Sequence, residues 1–178
     1  MQDDALMSAM SKMMKDMEAE PMKGNTDHDF ASMMKLHHQG AIQMAQIEIQ
    51  QGKDTMMKQM AQKMKDVQTK EVAELNEVIA ATGSSAKNYD PSNKQTGAAK
   101  AMSNNMVMMK KMGKMSMSSL DHEFADMMVK HHKDGIMMAK SILTYCKNAK
   151  LRSLAQKMIP EQTEDIRELQ QWMNTYKV

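Results

Sequence analysis

Asp27-His28-Asp29-Phe30-Ala31-Ser32-Met33-Met34-Lys35-Leu36-His37-His38, followed by Gly40-Ala41-Ile42-Gln43-Met44-Ala45, decides the reading of this chain because it is present twice. The second copy runs Asp121-His122-Glu123-Phe124-Ala125-Asp126-Met127-Met128-Val129-Lys130-His131-His132 and on to Ile136, Met138 and Ala139, at a constant offset of 94 residues (His37 to His131). All six histidines and both phenylalanines of the chain lie inside these two copies.

On a helix, residues i and i+4 are neighbours on one face, about 5 to 6 Å apart between Cβ atoms. Met-Met-x-x-His-His therefore makes two thioether–imidazole pairs side by side: Met33 with His37 and Met34 with His38, then Met127 with His131 and Met128 with His132. Met sulfur suits Cu(I), and imidazole suits copper in either oxidation state. These four pairs are the primary candidate ligands. Met44 and Met138 stand two turns from the histidines, roughly 10 Å along the axis, so they would serve a different ion or one held from across the bundle. His28 and His122, at the helix starts beside Asp27, Asp29, Asp121 and Glu123, are candidate outlying Cu(II) ligands. The competing explanation is plain packing, with Met filling a core and His buried or solvated beside it.

Outward from the blocks, the pattern is helical throughout. Met7, Met10, Met14 and Met17 recur at helical spacing over a helix from about Ala5 to Glu20, which ends before Pro21. Asp27 stands where an N-cap would be, and the helix it opens runs to about Gln51, stopped by Gly52. Around that helix the apolar arc centres on Phe30, Met34, Ala41 and Ala45, which places His37 and His38 on its two flanks, at the edges of the helix contact. A third helix, about Asp54 to Ala81, carries Met57, Met60, Met64, Leu75, Val78 and Ile79 in a seam interrupted by Gln68 and Glu71. The same interruption recurs as Gln162 and Asp165 in a helix from about Ala149 to Tyr176, where Pro160 predicts a kink. Matched polar residues in two seams are either satisfied buried groups or partners that orient a ligand histidine.

Residues 83–97 form a linker, and a helix from about Ala98 to Met112 repeats the first one with Met102, Met106 and Met109; Met115 and Met117 fall in the turn before Asp121. The organisation is a single helical domain over residues 1–178 with an internal duplication, repeat one at 5–82 and repeat two at 98–176. Two helical hairpins bury their seams best by pairing, so the expected fold is an all-α, ferritin-like four-helix bundle, each hairpin preceded by a short Met-rich helix. No segment alternates with a period of two, so strands are not expected.

Composition narrows the function. The chain has 27 Met among 178 residues, against eight Leu and eight Ile, and aromatic residues make up only 3%. Methionine keeps helix propensity high while making the interior flexible and polarizable. With 24 basic and 22 acidic residues in no run of one sign, nucleic acid is a poor partner. No apolar stretch is long enough to span a membrane. The single Cys146 cannot make an internal disulfide. Thioethers in place of thiolates favour an oxidising compartment, so a periplasmic or secreted protein is expected, with Met1-Gln2-Asp3-Asp4 following a removed signal peptide.

The two His-His blocks and the two Gln-x-x-acid seams together resemble a family of exported, ferritin-like helical proteins built on a domain of unknown function, which includes CopM-type copper-binding, copper-resistance proteins. The family pattern is met here by Asp27, Phe30, Met34, His37, His38, Met44 and Ala45, then Ala61, Gln68, Glu71, Val72 and Leu75. The second copy meets it with Asp121, Phe124, Met128, His131, His132, Met138 and Ala139, then Ala155, Gln162, Asp165, Ile166 and Leu169. Asp134-Gly135 replaces the family's Gly-Ala, and Asp165 replaces Glu, which makes the halves unequal. The resemblance implies a periplasmic or secreted bundle that binds copper.

The function expected is therefore extracytoplasmic binding of Cu(I) and Cu(II), with silver as a surrogate, contributing to copper tolerance by sequestration or by transfer to an efflux or transfer protein. A Met-rich docking module for hydrophobic peptides or partner proteins is the alternative. A di-iron or other redox metalloenzyme would want Glu-x-x-His pairs on facing helices, and neither copy has one. Hydrolytic triads, phosphate loops and zinc Cys/His spacings are absent, so the chain does not read as an enzyme.

Overall fold

A computed structural model describes residues 5–111 and 118–177. The expected turn methionines Met115 and Met117, and the end of the fourth helix at Met112, lie outside the described residues. Six helices follow in order: α1 (Ala5–Ala19), α2 (Thr26–Gln51), α3 (Thr55–Thr82), α4 (Gly97–Lys110), α5 (Leu120–Tyr145) and α6 (Ala149–Thr175). No strand forms among the described residues, and α6 continues on both sides of Pro160.

Four helices, α2, α3, α5 and α6, start where a short polar side chain accepts one of the orphan N–H groups. Asn25 accepts from His28 N at 3.2 Å, Asp54 from Met57 N at 2.7 Å, and Asn148 from Leu151 N at 3.0 Å. Asn25, not Asp27, is thus the N-cap of α2, and Ser119 caps α5. Asp27 has a longer reach. Its Oδ1 accepts from the backbone N–H groups of Lys147 and Asn148 at 2.8 and 3.0 Å, in the turn between α5 and α6. Asp121, its counterpart in the second copy, does the same for Lys53 and Asp54 at 3.0 and 2.8 Å, in the turn between α2 and α3. Each repeat therefore clasps the turn of the other, and α2 and α5 run antiparallel.

Hairpins α2–α3 and α5–α6 pack through α2 against α5 and, more lightly, α3 against α6, closing a four-helix bundle; α1 lies on α2 and α4 on α5. The core contains Phe30, Phe124, Met34, Met44, Met57, Leu75, Met127, Met128, Met138 and Ile142, all nearly or fully buried. On α1 the buried face is Leu6, Ala9, Met10, Met13 and Met17, so Met13 takes the place expected of Met14. The reason is Gly40. A Cβ there would sit 2.4 Å from the Met13 sulfur, so glycine lets α1 approach α2 closely.

Met10 and Met109, buried on α1 and α4, pack as ordinary core. Changing both to Leu is expected to move the unfolding free energy by less than about 1.5 kcal/mol, since the swap conserves volume. Urea denaturation monitored by circular dichroism checks this.

Candidate metal centre

Where α2 crosses α5 midway, the two His-His pairs meet. The rings of His37 and His131 stack with centroids 3.6 Å apart and planes 14° from parallel. His38 and His132 flank them, with centroids 6.4 Å from His37 and 6.0 Å from His131 respectively. All four side chains are 0% exposed. The expectation that they sit at the edges of the helix contact is therefore wrong, and its physical cause is that α2 is covered by α1, α3 and α5 together. Its buried surface extends nearly all round the helix, including both flanks of the apolar arc.

The hydrogen bonds fix the rings. His38 Nε2 lies 2.7 Å from Glu71 Oε2, and His132 Nε2 lies 3.0 Å from Asp165 Oδ2. A carboxylate only accepts, so Nε2 donates in both pairs and Nδ1 is the nitrogen left without a partner among the described residues. The acidic residues interrupting the α3 and α6 seams, Glu71 and Asp165, thus orient a histidine in each copy, the arrangement by which carboxylates set a ligand imidazole. His131 Nε2 likewise donates to the His37 carbonyl at 2.7 Å. Nδ1 of His37, His38, His131 and His132, and Nε2 of His37, are buried and have no hydrogen-bond partner among the described residues. Burial, followed by the neighbouring histidines, holds His37 and His131 well below the ordinary imidazole value. Both are neutral at pH 7, the form that binds a metal.

The second repeat departs from the first beside this centre. A Cβ on Gly135 would fall 2.5 Å from Gln162 Oε1 and 3.3 Å from His37 Cε1, so glycine leaves room for both the Gln162 amide and the His37 ring against α5. Asp134 takes both its oxygens to Lys130 Nζ at 2.6 and 2.5 Å, and Lys130 also donates to the Met108 carbonyl at 3.1 Å, tying α5 to the end of α4. Sequence reading registered Asp134 and Gly135 only as departures; Lys130 carried no signal, being one lysine among many.

The remaining expected residues divide. Met33, Met34, Met127 and Met128 are buried one turn before the histidines, and Met44 and Met138 are buried farther along the same helices. His28 and His122 do not join the centre. His28 Nδ1 pairs with Asp29 Oδ1 at 3.0 Å. His122 uses both nitrogens, toward Ser119 Oγ at 2.9 Å and the Tyr176 carbonyl at 2.5 Å, with its ring 4.7 Å from Trp172. Because α2 and α5 are antiparallel, these two histidines lie at opposite ends of the bundle. Among the described residues no group of three or more His, Cys, Asp or Glu converges to hold a metal ion. What the centre offers is a set of bare imidazole nitrogens with thioethers one turn away, a donor set for an ion content with few, soft ligands.

Comparison with known proteins fits this architecture. The family described as Domain of unknown function (DUF305) matches residues 1–79 and 27–173. No curated protein matches the sequence. Among solved structures, the crystal structure of a DUF305 fragment from Deinococcus radiodurans superposes with a TM-score of 0.63 at 14% identity, covering 88% of this chain and 100% of the fragment. At that identity the likeness is one of fold.

Proposed function

The chain belongs to the DUF305 family, whose name carries no activity, and from that premise we propose that it binds soft metal ions. Cu(I) is the first choice, with Ag(I) and Cu(II) as related guests, and the chain serves copper tolerance outside the cytoplasm by holding the ion or passing it on. The observation that supports this reading is the set of buried imidazole nitrogens without partners. A buried acceptor left unpaired costs roughly 1 to 3 kcal/mol, and here the cost is incurred at every histidine of both His-His pairs. Packing gives no reason to keep such groups, since Leu would fill the space without it. A bound cation that takes the lone pairs does.

A docking module for hydrophobic peptides is the second reading. It draws on Val107 and Met108, which are 53% and 45% exposed on α4, and it leaves the histidines unexplained.

Elemental analysis after incubation with Cu(I), Cu(II), Ag(I) and Zn(II) tests the proposal. Retention of Cu(I) and Ag(I), with more than one ion per chain, is expected. Thioethers and the neutral imidazoles of His37 and His131 coordinate through lone pairs that hold no proton, so binding there at pH 7 is expected to release none, unlike binding at thiolates. Protein that retains neither ion, yet binds an apolar peptide tightly, reverses the order of the two readings.

A further inference from the structure

A second cluster of thioethers lies away from the histidines, in a groove of about 340 Å³ bounded by α1, α2, α4 and the linker. Its walls hold Met17, Met22, Met33, Met102 and Met106, with Tyr89 beside them. Met17 and Met33 are 2% and 6% exposed, whereas Met22, Met102 and Met106 are half-buried at the opening. This is an unusual place for methionine to gather. A cleft wall that only had to be apolar would be served by Leu or Ile, which pack more definitely.

Tyr89 adds a chemical detail. Its hydroxyl lies 2.6 Å from Asp29 Oδ2 and 3.5 Å from the Met102 sulfur. The one phenolic proton goes to the carboxylate, the stronger acceptor, so the sulfur keeps its lone pairs. The charged groups around the groove balance, with Glu18 and Glu20 against Lys94 and Lys110, and Glu18 is paired with Lys110. A neutral thioether set with no net charge around it selects a soft monovalent cation by ligand type, not by attraction.

We infer that this groove is a separate, outer binding station for Cu(I) or Ag(I), and that Met33 connects it to the buried centre. Met33 alone belongs to both places: it lines the groove and stands one helical turn before His37 on α2. The histidine centre is fully buried, so an ion needs a route from solvent. The groove supplies the opening and Met33 the step inward. The inference rests on reading the chain as a soft-metal binder.

The test is an Ag(I) titration of the whole protein, followed by NMR of the methionine ε-methyl and histidine ring signals. It compares wild type with a variant carrying Met17→Leu, Met102→Leu and Met106→Leu, whose fold is checked by circular dichroism. The groove methyls of the wild type should move, and the variant should bind one silver ion fewer and fill its histidine centre more slowly. Histidine signals that respond while the groove methyls stay still in wild type would overturn the outer station and leave the soft-metal reading standing. Silence from both sets would overturn both. Groove methyls that ignore Ag(I) but move with an added apolar peptide would assign the groove to docking instead.

Discussion

Replacing His37 and His131 together by Leu is expected to abolish metal retention at the bundle centre while leaving the metal-free protein at least as stable as the parent. The two rings stack on one another, and three of their four nitrogens have no partner. Exchanging buried polar groups of this kind for apolar ones of similar size is close to neutral or stabilising, because an unmet desolvation cost disappears. The parent should behave differently once metal is present. An ion that binds only the folded state adds about 2.7 kcal/mol at a concentration one hundred times its Kd, which for a chain of this length raises Tm by roughly 5 to 10 °C. Thermal unfolding with and without Ag(I) reads both effects. A variant that loses several kcal/mol when metal-free and still gains stability from Ag(I) would make the stack a packing device.

Replacing Glu48 by Gln should remove a large pH dependence of stability. Glu48 is 0% exposed near the end of α2, beside Asp121. Burial first, and the neighbouring Asp121 second, push its carboxyl up to about 8 from an ordinary value of 4.5. Asp121 moves the opposite way: the N–H of Asp54 and the protonated Glu48 favour its carboxylate against the cost of burial. A folded-state value raised above the unfolded one means that stability is fully present below about 4.5. It then falls as the pH rises toward 8, and is flat above, where both states are ionised. The change across that window is on the order of 3 to 5 kcal/mol. Gln carries no charge at any pH, so the stability difference between variant and parent should widen from pH 5 to pH 9. Lowered values at His37 and His131 act in both proteins and cancel in that difference. A gap that stays constant with pH would show that Glu48 is ionised in the fold.

Much of the fold was legible because it is written locally. Helix ends follow Pro21, Gly52 and the short polar caps, and the observed bounds fall within a residue or two of those expected. The coupling of Glu71 to His38 and Asp165 to His132 was visible as one of two meanings of polar residues at matched seam positions. Where the reading erred, a distant element decided. His37 and His38 looked peripheral because the apolar arc of one helix is blind to how many neighbours cover it. Met13 displaced Met14 because Gly40, on another helix, opens a slot for it. Asp27 looked like a cap because its real partners, Lys147 and Asn148, are far along the chain. The groove was out of reach for the same reason: Tyr89 and Met22 sit in irregular segments where no periodicity predicts a shared wall.

The reciprocal clasp of Asp27 and Asp121 bears on ancestry. The clasp is made twice, by the matching aspartate of each motif on the turn of the other repeat, about an axis passing between His37 and His131. That is the geometry of a homodimer, and it follows that a founding chain of one repeat could have built the whole bundle from two copies, with residues 83–97 later joining them. Fusion releases the halves from identity. A substitution in a homodimer appears on both sides of the axis, whereas here the position of Glu48 is taken by Ile142 in the second copy, that of Gly40 by Asp134 and that of Ala41 by Gly135. Joining the two repeats in one chain thus lets a symmetric scaffold have a distinguishable left and right side.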